Sequence, residues 1–311
     1  MDTPENHTPP PDPDSGPSHQ PPRFGQEAPP TRDSTAPFEG GPTDERPTSS
    51  APLGGPTPPT GQEAISCRGL TRVFGQREVV HGINLDIPSG SMYGLVGRNG
   101  AGKTTTLSMA TGLLRPTAGQ VFIRGIDVWD RSREAKSLVG VLPDGVHLFD
   151  RLTGRQLITY AGLLHGLDKD TVAERTEDLL GAMDLTESAN VTVTDYSAGM
   201  KKKTALAAAM VHAPKVLVLD EPFESVDPVS ASNIRDILAG FVRHGGTVVV
   251  SSHVMDLVQR MCDHVAIMND GQILSAGTVD EVRGSSSLEE TFVKLVGGRV
   301  ESEGISWLGT S

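Results

Sequence analysis

From residue 65 onward the apolar positions follow short periods broken by turn residues. Residues 65–74 and 78–87 are apolar-rich runs bounded by Gly75-Gln76 and Pro88-Ser89-Gly90, a pattern that predicts two strands. Residues 91–96 form a short apolar run ending at Gly97, as a buried strand does before a loop, and residues 103–111 then read as a helix. Further strands are predicted at 119–124 and 138–142. Between 153 and 183 the spacing turns helical, with Leu157, Ile158, Ala161, Leu164, Leu179 and Leu180 as the apolar positions. A second helix, 197–212, is ended by Ala213-Pro214. A strand at 216–219, a helix at 229–242 and a β-branched strand at 247–251 follow. This alternation predicts an α/β domain with a mainly parallel sheet and a helical insert at about 150–212.

Composition separates the beginning of the chain from the rest. Residues 1–60 hold 17 of the 23 prolines, two aromatics (Phe24 and Phe38), and nine Asp and Glu against three Arg. Such a stretch cannot bury enough apolar surface to offset its conformational entropy. It predicts a disordered, acidic tail over 1–61, followed by one folded domain over 62–298 and a short tail over 299–311. MDTPENHTPP has neither the basic start nor the apolar core of a secretory signal. No apolar run approaches the ~18–20 residues needed to span a bilayer, so a soluble chain is expected. Cys67 and Cys262 offer no disulfide framework. The net charge of −12 argues against nucleic acid as a partner, because phosphate backbones need a basic face.

Two motifs carry chemistry. Gly97-Arg98-Asn99-Gly100-Ala101-Gly102-Lys103-Thr104 matches the phosphate-loop pattern and falls between a predicted strand and a predicted helix. Its glycines let backbone N–H groups turn toward phosphate oxygens, and the helix N-terminus adds partial positive charge. Lys103 suits the β- and γ-phosphates, and the Thr104 hydroxyl suits Mg²⁺. Further on, Val216-Leu217-Val218-Leu219 delivers two consecutive carboxylates, Asp220 and Glu221. Strand alternation points them to different sides. Asp220 is thus a candidate metal ligand and Glu221 a candidate general base for the attacking water.

With these motifs the chain resembles the ABC ATP-binding cassette family over about residues 64–295. Tyr196-Ser197-Ala198-Gly199-Met200-Lys201 stands in the place of the family signature, some 20 residues before the acidic pair. The resemblance implies that Ser197 and Gly199 touch the γ-phosphate of ATP held by the other subunit. Ser197 is equally suited to cap a helix. Asp227, in Ser225-Val226-Asp227-Pro228, corresponds to the loop that communicates across the dimer, and His253 to the switch histidine near the γ-phosphate. Phe74 stands where the family stacks an aromatic on adenine, with a turn aromatic as the alternative. Asn99, Ala101 and Thr105 belong to the phosphate-binding segment with the glycines. One position departs from the pattern: Asp144 occupies the place of a glutamine that contacts Mg²⁺ and senses the membrane partner. Its carboxylate suits a metal, and Pro143-Asp144-Gly145 equally suits a turn.

The resemblance implies a phosphate-loop core with an antiparallel β subdomain and an inserted helical subdomain. It implies ATP and Mg²⁺ as cofactors and a second copy of the cassette as partner. It further implies a membrane permease on a separate chain and a place at the cytoplasmic face of the membrane. The sequence around residues 148–155 and the YSxGM-type signature look like drug and antibiotic exporters. An importer cassette, a soluble cassette acting on ribosomes or DNA, and a nucleotide-binding regulator without turnover are the alternatives. One cassette without a long heptad array, and the presence of Glu221, weigh against the last two.

Overall fold

The computed structural model describes residues 61–145 and 148–297. The tails expected at 1–61 and 299–311 lie outside the described residues, apart from Gly61. The described chain begins with β1 (Glu63–Phe74), β2 (Arg77–Pro88), β3 (Met92–Val96) and α1 (Lys103–Ala110). Next come β4 (Ala118–Ile123), β5 (Ile126–Asp127), α2 (Ser132–Ser137) and β6 (Val139–Leu142). Three helices follow: α3 (Gly154–Leu164), α4 (Lys169–Ala182) and α5 (Ala198–Met210). The chain then alternates through β7 (Val216–Leu219), α6 (Pro228–Arg243), β8 (Thr247–Ser252) and α7 (Met255–Met261). It continues with β9 (His264–Asn269), β10 (Gln272–Thr278), α8 (Val279–Arg283) and α9 (Leu288–Leu295).

The strands form two sheets. One is antiparallel, in the order β2-β1-β4-β5; the other has six strands in the order β10-β9-β3-β8-β7-β6. In the larger sheet β9, β3, β8, β7 and β6 are parallel, and β10 is an antiparallel edge. Alternate residues of the inner strands feed two separate cores, as the period-2 pleat requires. Leu217, Leu219, Val248 and Val250 join a core with Ile158, Leu206, Ile234 and Val258 from the helices. Val216, Val218 and Val249 join one with Ile65, Leu70, Val121 and Leu107 from the antiparallel sheet and α1. The parallel sheet is thus buried on both faces, which accounts for its near-continuous apolar strands.

The helical insert begins at a capping box, in which Thr153 and Gln156 satisfy each other's main-chain N–H groups ahead of α3. The continuous helical pattern expected over 153–183 is broken. Gly166 takes a left-handed φ of +82°, and the Asp168 carboxylate accepts from the Thr171 N–H at 2.9 Å to start α4 afresh. Both signals stand in the sequence, but the apolar spacing on either side of them conceals the break.

Candidate active site

Parallel pairing brings the three chemistry-bearing segments to one edge. Val96 of β3 pairs with Ser252 of β8, and Leu219 of β7 pairs with Val250 of β8, so the strands end together. The glycine loop leaves β3, Ser251 to His253 close β8, and Asp220-Glu221 follow β7. This is the carboxyl-terminal edge of the sheet, where α/β proteins place ligands.

The loop after β3 requires glycine at particular points. A Cβ on Gly97 would lie 2.2 Å from the Met268 carbonyl oxygen, and Gly102 takes φ +103° with Met268 Cε 2.7 Å from where a Cβ would stand. Gly102 is the N-cap of α1 and supplies no side-chain cap. The first-turn N–H groups of Lys103, Thr104 and Thr105 are therefore left facing outward, as at any uncapped helix start. A cleft of about 320 Å³ lies over them, lined by Asn99 to Thr105, Asp144, Glu221, Glu224 and Val79.

Lys103 is nearly buried, and its ammonium donates to the Gly97 carbonyl at 2.9 Å. The same Nζ stands 3.3 Å from Glu221 Oε1, while His253 Nδ1 lies 3.1 Å from Glu221 Oε2. One carboxylate thus joins the phosphate loop to the end of β8. Asp220 and Glu221 do diverge, but a turn separates them, not the pleat: β7 ends at Leu219, and Glu221 adopts φ +45°. That left-handed backbone is unusual for a side chain with a Cβ and swings Glu221 away from the strand direction.

Ser251, which the sequence reading passed over, fixes this turn. Its hydroxyl donates to Asp220 Oδ1 in a short bond and accepts from the Glu221 N–H at 2.9 Å. A polar residue at the end of a fully buried strand was the available signal. Glu224 was also missed, and it lines the cleft. Asp144 sits in the same cleft, with Oδ1 accepting from the Gly145 N–H at 2.8 Å. It therefore forms a turn and faces the phosphate loop at once. Thr104 and Asp144 line the cleft with hard oxygen donors of the kind Mg²⁺ takes, while the Asp220 carboxylate is buried against Ser251 and is not part of the cleft lining. Among the described residues no group of three or more His, Cys, Asp or Glu could hold a metal alone.

The remaining candidates stand apart from this cleft. Ser197 caps α5, accepting from the Met200 N–H at 3.2 Å. Asp227 caps α6, and the Ser230 N–H and hydroxyl, with a smaller share from the Val229 N–H, hold its carboxyl below the usual range. A Cβ on Gly199 would meet Ser230 Oγ at 2.8 Å and Asp227 Oδ2 at 3.0 Å, so the buried Gly199 packs the start of α5 closely against the start of α6. Phe74, at the end of β1, is 45% exposed with the Arg72 guanidinium 4.4 Å over its ring.

A glycine loop at a helix N-terminus, facing an acidic strand end and a histidine, defines a nucleotide-hydrolysing protein of the phosphate-loop class. The ABC transporter family model matches residues 80–224. A linearmycin resistance ATP-binding protein of Bacillus subtilis is 31% identical over 214 residues, covering 69% of this chain and 69% of that protein. A Nod factor export ATP-binding protein of Burkholderia lata is 35% identical over 213 residues, covering 68% and 70%. A solved ATP-binding subunit of an ABC transporter superposes with a TM-score of 0.70 at 26% identity, over 75% of this chain and 99% of that one. The chain belongs to the ABC transporter family and is an ATP-binding, ATP-hydrolysing subunit. Among the described residues no helix is long and apolar enough to cross a membrane.

Proposed function

We propose that this cassette powers export through a membrane permease on a separate chain, working as a pair of copies that enclose two ATP molecules at the cytoplasmic face of the membrane. The observation that carries the hydrolytic part is the meeting of Lys103, Glu221 and His253 at the edge of three adjacent strands, with contacts of 3.3 and 3.1 Å to one carboxylate. The backbone of Gly97, Asn99, Gly100, Ala101 and Gly102, with Thr105, surrounds the phosphates, and Phe74 stacks on the adenine. Lys103 neutralises the β- and γ-phosphates. Glu221 takes the proton of the water that bonds to the γ-phosphorus as the bond from phosphorus to the β–γ bridging oxygen breaks, and ADP leaves. His253 orients that water and the γ-phosphate. Thr104 and Asp220, with Asp144 alongside, would hold Mg²⁺, which would supply positive charge beside the transferring phosphoryl group. Ser197 and Gly199 close over the nucleotide of the second copy, with Asp227 beside them.

The relatives support export, and an exposed groove supports a protein partner. The relatives include a Nod factor export and a linearmycin resistance ATP-binding protein. The helical insert also carries an apolar groove of about 670 Å³ lined by Phe149, Leu152, Tyr160 and Leu163, rimmed by Arg151 and Arg155. Phe149 and Tyr160 pack edge to face there while remaining largely exposed. Exposed aromatics of this kind suit a protein partner.

Affinity purification of the tagged chain from gently solubilised cells tests this reading. A multispan membrane protein in stoichiometric amount is the expected companion. Ribosomal subunits or DNA-bound proteins in its place would overturn the transport reading and leave the ATPase standing.

A further inference from the structure

Lys202 lies in the early turns of α5, the helix that Ser197 caps, and its ammonium donates to the Glu221 main-chain carbonyl at 2.8 Å. The other side of the same residue is also held, because the Glu221 N–H donates to Ser251 Oγ at 2.9 Å. Glu221 keeps a φ of +45° that side chains with a Cβ rarely adopt, and its carbonyl also accepts from the Glu224 N–H at 3.2 Å, so Lys202 is the anchor that reaches it from α5. The Lys202 ammonium is partly desolvated at this place, which lowers its pKa, while the carboxylates of Asp144, Glu224, Asp220 and Glu221 act in the opposite sense. It thereby brings a cation toward Asp144, the carboxylate that stands where the family resemblance implies a neutral glutamine.

We propose that Lys202 is a positioning residue for hydrolysis, tying the Ser197–Gly199 segment to the main chain of Glu221 in the same subunit. This rests on the proposed roles of Ser197, Gly199 and Glu221. α5 is a continuous helix, so a shift of its first turn when the segment closes over the second copy's nucleotide displaces Lys202, and with it the carbonyl that it holds. One subunit's grip on its neighbour's ATP is then felt at its own base.

Steady-state ATPase assays of the full chain test the tie. Lys202→Met is expected to lower kcat about ten-fold, the scale of one lost hydrogen bond from a charged donor, with KM for ATP changed by less than about two-fold. Lys202→Arg should recover most of the rate. Ser197→Ala combined with Lys202→Met should cost less than the product of the single losses, because both act through one helix. An unchanged kcat in Lys202→Met would overturn the proposal. So would a joint loss of kcat, KM and melting temperature that Lys202→Arg does not repair, or strictly multiplicative losses in the double variant. Should Lys202→Met not fold, the same comparison is made with Lys202→Gln, where an unchanged kcat again overturns the proposal. If Glu221→Gln leaves turnover intact, the base assignment itself is at fault; if it abolishes turnover while Lys202→Met does not change it, only the tie fails.

Discussion

The Ser251 hydroxyl stands between the two acidic residues that follow β7, donating to Asp220 Oδ1 and accepting the Glu221 N–H at 2.9 Å. The bridge reaches from β8 to the turn after β7 and fixes the direction in which each carboxylate leaves. Ser251→Ala strands a buried carboxylate and a buried N–H together. Stability should fall by about 2 kcal/mol, because a lost hydrogen bond to a buried charged group costs on that order. Urea titrations measure it. Turnover should fall with it, and Ser251→Thr should retain more of both than alanine does.

Phe74 gives a prediction that separates binding from chemistry. One face of its ring is covered by Arg72, and the residue is 45% exposed. A base stacked on an aromatic side chain is worth ~1–3 kcal/mol. Phe74→Ala should therefore raise the Kd for ATP about ten-fold with little change in kcat, and Phe74→Trp should leave binding near the native level. Equilibrium binding of a fluorescent ATP analogue reads this. An unaltered Kd would return Phe74 to the role of a turn aromatic.

A third prediction concerns pH. Burial pushes the His212 imidazole down from 6.5 to about 4; the stacked His165 ring and Arg175 act in the same direction, and a hydrogen bond to the Val139 carbonyl opposes them. The rings of His165 and His212 stack at 3.7 Å. His212 Nε2 meets the Val139 carbonyl at 3.1 Å, while Nδ1 is buried without a partner. The folded state therefore binds fewer protons here than the unfolded chain does between pH 6.5 and about 4. Its stability falls as pH drops through that window and levels off below it. His212→Gln should lose less stability than the parent between neutral pH and the lower end of the window, as read by urea titrations at both. Equal losses would remove His212 as a source of the slope.

Much of this was legible in the sequence, for identifiable reasons. Gly97 to Thr104 and the run into Asp220-Glu221 are local patterns, and β7 spans the residues expected, Val216–Leu219. The parallel sheet followed from apolar runs too continuous for a half-exposed strand. Properties of spatial neighbours were not legible. Ser251 and Lys202 gain their meaning from Glu221, which lies 30 and 19 residues away in the chain. The hairpin of β9 and β10 was passed over although Asp270-Gly271 marks it: both residues take positive φ, 43° and 76°. Two such residues in a row are the signature of a tight two-residue turn. Asp220 and Glu221 lie beyond the end of β7, so the backbone turn at Glu221, with φ +45°, and not the strand pleat governs how their side chains leave the chain.

The most direct test of the site is Glu221→Gln, read in two ways on one preparation. The variant keeps the size and the main-chain anchors of Glu221 but cannot accept the water's proton. Turnover should fall on the order of 10²–10⁴-fold, the contribution of a general base. ATP should still bind, and light scattering should show a dimer that persists with ATP and dissociates when ATP is withdrawn. Turnover close to that of the parent, or a variant that stays monomeric with saturating ATP bound, would contradict the account.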